Sequence, residues 1–211
     1  MEEADVKKRL RVEALAARDS LPEKTRKAYS EAIVKKLTTL SCYRRAEVVL
    51  SYVNFRSEVE TASLLKQAFA DGKAVFVPKV SGREMEFFQI FGGEDLAKGY
   101  RGILEPKGGR PYTDWVSHYR GQGDSHTLIC LPGAAFDKKC HRIGYGGGFY
   151  DRYLGGLSKN SEDTSYCTVA LAFGCQIFEE IPWETHDIRP KEIVTENEVI
   201  VSGQNAGGKP A

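Results

Sequence analysis

Residues 127–154 read TLICLPGAAFDKKCHRIGYGGGFYDRYL, and the fold class is decided there. The segment opens with five apolar-leaning residues, TLICL at 127–131, which predict a buried strand. It continues into a loop whose glycines at 144, 146, 147 and 148 free the backbone for φ > 0 and for close approach of a ligand. From Phe149 the spacing turns helical, with Phe149, Tyr153 and Leu154 able to share one face, and a helix is predicted over 148–157. A strand feeding a Gly-rich loop that opens a helix aims unpaired N–H groups and the positive dipole end at an anion. Asp151 sits where a carboxylate could hold a metal bridging a phosphate. The pattern matches neither GxxxxGK[ST] nor GxGxxG, so the residues alone leave a phosphate cradle and a plain flexible turn both open.

Outward from this segment the chain alternates strands and helices. Helices are expected over 4–19 and about 21–40, the second behind an S-x-x-E capping box at Ser20 and Glu23. VVLSYV at 48–53 reads as a buried strand, and Ser57 with Glu60 makes a second box opening a helix over 58–70. Strands follow at 74–77, stopped by Pro78, and at 85–90 on an edge. The stretch 91–123 is rich in Gly, Pro and charge and reads mostly as loop, with a short helix near 93–97. Further strands are expected at 168–172 and 198–201. This order predicts an α/β layer fold with a mixed, mainly parallel sheet and an N-terminal helical pair. Residues 1–201 form one domain in this reading, and the polar, Gly-rich 202–211 a disordered tail. Ligands of such sheets gather beyond the carboxyl ends of the strands, where TLICL delivers its loop.

Composition narrows the classes. A formal net charge of +1 argues against a nucleic-acid or anionic-membrane partner, and no apolar run approaches the roughly 20 residues that span a bilayer. Five cysteines, odd in number and without a CxxC pair, fit reduced thiols in a cytoplasmic compartment. His118, His126, His141 and His186 lack metal-ligand spacing and read as surface or loop residues; Cys140 reads as incidental, Trp115 and Trp183 as core or lid aromatics.

The segment 132–154 closely resembles the long C-terminal motif of the 5-formyltetrahydrofolate cyclo-ligase family, PG-x-x-FD, then R-[LI]-G-x-G-x-G-[FY]-YD. Pro132-Gly133, Phe136-Asp137, Arg142, Gly144, Gly146, Gly148, Tyr150 and Asp151 supply its fixed elements. KKRLR at 7–11, SEVET at 57–61, and LAFGCQ at 171–176 with Ile181-Pro182 and Asp187 extend the resemblance over nearly the whole chain. What it implies is an ATP- and Mg²⁺-dependent ring closure. The formyl oxygen of 5-formyltetrahydrofolate attacks the γ-phosphate, and N10 then attacks the activated carbon of the imidate phosphate. ADP and phosphate leave as 5,10-methenyltetrahydrofolate forms. The family's three-layer fold also resembles that of sugar-phosphate isomerases and coenzyme A transferases.

The resemblance also implies roles. Lys7, Lys8, Arg9, Leu10 and Arg11 would bind ATP together with Arg142, Ile143, Gly144, Tyr145, Gly146, Gly147, Gly148, Phe149 and Tyr150. Lys7 and Arg11, at i and i+4, share a helix face, although a solvated basic face would look the same. Val53 and Glu58 would contact the folate with Tyr145 through Phe149, and Tyr145 and Arg142 stand at the reacting centre. Asp151 and Asp187 correspond to magnesium carboxylates. Tyr145 and Gly147 stand where some members carry basic residues, so other cations must neutralise more of the triphosphate. The expected partners are small molecules, 5-formyltetrahydrofolate (with or without a polyglutamate tail) and ATP, acting on a monomer or weak homodimer. Two other readings compete: an ATP-independent sugar-phosphate isomerase-like or acyl-transfer enzyme, and a non-catalytic folate- or nucleotide-binding protein.

Overall fold

The computed structural model describes residues 3–119, 126–160, 166–185 and 187–203. Helices α1 (Glu3–Asp19), α2 (Glu23–Thr39) and α3 (Ser41–Arg45) lead into strand β1 (Val48–Leu50) and helix α4 (Ala62–Ala70). Next come β2 (Ala74–Ser81), β3 (Glu84–Ile90), β4 (Leu96–Lys98), β5 (Leu104–Pro106) and helix α5 (Tyr112–Tyr119). Strands β6 (Thr127–Leu131), β7 (Ala135–Asp137) and β8 (Arg142–Ile143) precede helix α6 (Phe149–Asn160). The chain ends with β9 (Tyr166–Leu171), β10 (Ile177–Phe178), β11 (Glu192–Val194) and β12 (Val199–Val201).

Seven strands form the main sheet in the order β12-β11-β9-β6-β1-β2-β3. The inner pairings are parallel, and β12 and β3 close the two edges antiparallel, so the expected mixed, mainly parallel α/β sheet is observed. Both faces are covered, which is why its central strands read as unbroken apolar runs. In β6, Leu128 and Cys130 enter a core shared with α2, α3 and α4. Ile129 and Leu131 point the other way, into a core shared with α5 and α6. Those two cores lie between the sheet and the two helical layers of the α/β/α arrangement.

Sheet order reverses between β1 and β6. From β1 the chain builds outward through β2 to β3; from β6 it builds the opposite way through β9 and β11. Helix α4, following β1, packs on one face, while α6, following β6, packs on the other. The two departing segments therefore part and leave a crevice beyond the strand ends. A second sheet, β10-β7-β8, flanks this crevice. Helix α1 packs on that small sheet, with Leu10 and Ala14 against Ala135, Ile143 and Ile181. The two N-terminal helices are both present, but each serves a different sheet.

Several local expectations are corrected. Pro78 does not stop β2, which runs on to Ser81 opposite β3. Pairing with β1 ends at Phe76, so the missing proline N–H falls on an edge with no strand to bond. Neither capping box forms: Ser20 Oγ donates back to Ala17 O (2.7 Å), and α2 opens behind Pro22. Ser57 is bonded by α1 side chains instead, and α4 starts only at Ala62. The β1 run ends at Leu50, three residues early. The presumed loop 91–123 contains the β4–β5 hairpin and α5, whose Tyr112 and Trp115 are buried against Phe76.

Candidate active site

The crevice is a cavity of about 720 Å³. Leu15, Arg18 and Asp19 of α1 form one wall, and Tyr52, Val53, Phe55, Arg56 and Glu58 of the β1–α4 segment form another. Pro78, Val80 and Met85 close the sheet side, Tyr100, Arg101, Ile103 and Glu105 of the hairpin stand at the mouth, and Arg142 with 144–151 completes the lining.

The Gly-rich loop reaches α6 through two left-handed residues, Gly146 (φ +90°) and Gly148 (φ +63°), where a Cβ would be strained. Arg152 N donates to Gly148 O (3.0 Å), so the first N–H groups of α6 lie beyond the helix's own bonding, in a segment that lines the crevice. Arg11 reaches the loop from α1: its Nε donates to Gly144 O at 2.8 Å, and its guanidinium lies beside Gly146. Helix α1 and the Gly-rich loop are thus in direct contact.

Beneath the loop, Arg142 is buried, donating from Nη2 to Asp151 Oδ1 (2.6 Å) and from Nη1 to Pro132 O (3.3 Å). Its Nε and the hydroxyl of Tyr150 are buried with no hydrogen-bond partner among the described residues. Two buried donors beside one cavity mark a place built for an incoming acceptor. Asp151 Oδ1 also accepts from Ile188 N at 3.1 Å, which carries the neighbouring Asp187 to the same end of the crevice. Asp187 Oδ2 accepts from Lys7 Nζ (2.7 Å) and Glu184 N (2.9 Å). Burial lowers the Lys7 pKa, but its hydrogen bonds to Asp187 and Glu184 outweigh that and hold it above the ordinary lysine value. Among the described residues no cluster of three or more His, Cys, Asp or Glu side chains could cage a metal. Two carboxylates on adjoining segments instead suit a hard cation that takes its remaining ligands from phosphate and water, and the donor set fits Mg²⁺ in that manner.

The expected helix-face set divides. Lys7 and Arg11 point toward the loop and the Asp187 segment, Lys8 and Arg9 are exposed, and Leu10 is a core residue. Ile143 is likewise core, so it can offer a ligand only its backbone.

On the β1–α4 wall, Glu58 Oε2 accepts from Phe55 N at 2.8 Å. Burial raises the Glu58 carboxyl pKa above the usual glutamate range, although the Tyr145 hydroxyl, the Phe55 N–H and Arg18 pull it back. Burial also pushes the Tyr145 hydroxyl pKa up, with Glu58 adding to it. Arg18 is the residue sequence reasoning missed. It is buried, donates from Nη1 to Tyr145 Oη (2.5 Å) and from Nε to Ser57 Oγ (3.0 Å), and lies over the Tyr145 ring at 5.6 Å. Ser57 in turn donates to Asp19. One side chain thus links α1, the Gly-rich loop and the β1–α4 segment. Its signal was present in the spacing, since 7, 11 and 18 fall on one helical face.

His141 is also corrected: it is buried, with Nδ1 2.9 Å from Asp137 Oδ2 and its ring stacked on Trp183 at 4.9 Å. The fully buried Asp137 accepts further N–H bonds from Lys139, His141 and Ile181, joining β7 to the segment that leads to Asp187. His186 lies outside the described residues.

The family model of the 5-formyltetrahydrofolate cyclo-ligases matches residues 3–196. The mouse 5-formyltetrahydrofolate cyclo-ligase is 32% identical over 205 residues, covering 92% of this chain and 91% of its own. The enzyme of that name from Escherichia coli K12 is 30% identical over 157 residues, 73% of this chain and 80% of its own. The solved structure of Aquifex aeolicus 5,10-methenyltetrahydrofolate synthetase superposes with a TM-score of 0.75 at 28% identity, covering 97% of both chains. With a glycine loop, a cationic helix and a carboxylate pair meeting at one strand-end crevice, and with matches of this extent, the chain belongs to the 5-formyltetrahydrofolate cyclo-ligase family.

Proposed function

We propose that this enzyme closes 5-formyltetrahydrofolate to 5,10-methenyltetrahydrofolate at the expense of ATP. A formamide oxygen is a poor leaving group, and phosphorylation makes it a good one. The formyl oxygen bonds to the γ-phosphorus as the bond to ADP breaks. The N10 lone pair then forms the new C–N bond, N10 loses its proton, and the C–O bond breaks to release phosphate. Phosphoryl transfer asks chiefly for positioning and charge neutralisation, and no protein nucleophile is required.

The chain's residues divide that work. Arg11 and the N–H groups entering α6 bind the triphosphate, with Lys7 alongside and Arg142 beneath. Val53 and Glu58 hold the pterin, and the Tyr145 ring lies between the two substrates. Asp151 and Asp187 are the residues that would hold Mg²⁺, which when bound offsets phosphate charge. Five free cysteines accord with a reducing, cytoplasmic setting, and no helix among the described residues is long and apolar enough to cross a membrane.

The observation that carries this reading is the single cavity lined by both the Gly-rich loop and the Val53–Glu58 wall. The test is formation of the methenyl-folate absorbance band with 5-formyltetrahydrofolate, ATP and Mg²⁺, each omitted in turn. Product should require all three. Product without ATP would overturn the assignment in favour of an ATP-independent reaction.

A further inference from the structure

Most charged groups lining the cavity have partners within the protein. Arg142 is bonded to Asp151, Arg18 to Ser57 and Tyr145, Glu58 to Phe55 N, and the buried Glu105 to Val80 N (3.2 Å). Arg56 and Arg101 differ. Both line the cavity, both are exposed, and neither makes a hydrogen bond or ion pair among the described residues. Each guanidinium instead rests on the ring preceding it: Arg56 Cζ is 5.1 Å from the Phe55 centroid, and Arg101 Cζ is 5.2 Å from that of Tyr100.

The backbone singles out the same two residues. Arg56 and Arg101 are both held at φ 54°, and only Cys140 among the described non-glycine residues shares a positive φ. Such a conformation persists only where its surroundings impose it. They do here. Glu58 closes the first turn, donating from its N–H to Phe55 O (3.2 Å) and accepting the Phe55 N–H. At the hairpin tip, Gly102 N donates to Gly99 O (3.0 Å) and Ile103 N to Tyr100 O (3.0 Å). Glycine would suit either tip with less strain. The chain places a guanidinium on each, at one mouth.

We propose that Arg56 and Arg101 are the receptor for the carboxylates of the folate's glutamyl tail. This rests on the folate reading of the cavity given above. With the pterin between Val53 and Glu58, the rest of the substrate must leave past the mouth. Its aromatic linker meets Phe55 and Tyr100 there, and its α- and γ-carboxylates meet two uncommitted forks suited to carboxylate oxygens. A triphosphate is also a polyanion, so the test separates the two sources.

Binding of 5-formyltetrahydrofolate and of tail-less 5-formyltetrahydropteroate is measured by calorimetry for the parent protein, Arg56→Gln and Arg101→Gln, with KM for ATP measured alongside. The parent should bind the tailed ligand more tightly. Each substitution should weaken that ligand about fivefold, the scale of an exposed charge pair, and leave the tail-less ligand and the ATP KM unchanged. Equal losses for both ligands, or a rise confined to the ATP KM, would overturn the proposal. So would a parent protein that binds both folates equally, while leaving the folate reading intact. Failure of the parent to bind either folate would remove that reading as well.

Discussion

Arg142 Nη2 and Asp151 Oδ1 meet at 2.6 Å, and this contact ties β8 to the first turn of α6 beneath the Gly-rich loop. The arginine is almost fully enclosed, so that carboxylate is its counter-charge, and its Nε is left for a ligand. Asp151→Asn is expected to lower stability by about 2 kcal/mol, because it leaves a buried cation without its counter-charge. It should also raise the Mg²⁺ concentration needed for half-maximal turnover. Urea unfolding and a magnesium titration of activity check the two effects separately. Unchanged activity at limiting magnesium would remove the metal role from Asp151.

Arg18 acts through its neighbours. Arg18→Ala releases the Tyr145 hydroxyl and Ser57 together and should raise the KM for 5-formyltetrahydrofolate about tenfold, the order expected for losing a charge-assisted hydrogen bond. Tyr145→Phe should reproduce only part of that loss, since the ring remains. A larger effect on the ATP KM than on the folate KM would show that Arg18 serves the phosphates instead.

Glu58 gives the site a pH signature. Its folded pKa is raised, so the folded protein keeps this proton to higher pH than the unfolded chain does. Its contribution to stability is therefore fully present below the unfolded pKa and is lost as pH rises through the raised one. Glu58→Gln should flatten that fall in unfolding experiments run across mildly acidic pH. The KM for folate should rise as pH drops through the same window, where the carboxylate is neutralised, and the glutamine variant should lose the dependence.

Asp137 organises the second sheet. Asp137→Ala strands three backbone donors and the His141 ring and should cost about 3 kcal/mol. A chain of this size then loses roughly 6–12 °C in Tm. Asp137→Asn, which keeps one acceptor oxygen, should recover part of the loss. A melting temperature unchanged by the alanine variant would contradict the anchoring role.

What could be read in advance follows from how local each cause is. TLICL and the glycines after it carry their own instruction: a strand buried on both faces is apolar throughout, and φ > 0 calls for glycine. Local pattern likewise located most of the major-sheet strands and the helices α1, α2 and α6. It failed where a distant side chain decided the outcome. Ser57 resembles a helix cap until Arg18 and Asp19 claim its hydroxyl from another element. Pro78 resembles a stop until the sheet shows that no strand faces its missing N–H. Strands β7, β8 and β10 are two or three residues long, too short for alternation to register. For the crevice, the pattern yielded the loop and Asp151, while Asp187 and the i, i+4 cations came from the family resemblance. Arg18, Arg56 and Arg101 came only from three-dimensional proximity, although the first of them shares a helical face with Lys7 and Arg11.

The bond between Lys7 and Asp187 spans 180 positions of sequence. A ribosome must have synthesised everything from the first helix through that aspartate before the two can meet. Shortened products that stop before that aspartate hold five of the seven main-sheet strands yet lack this clasp.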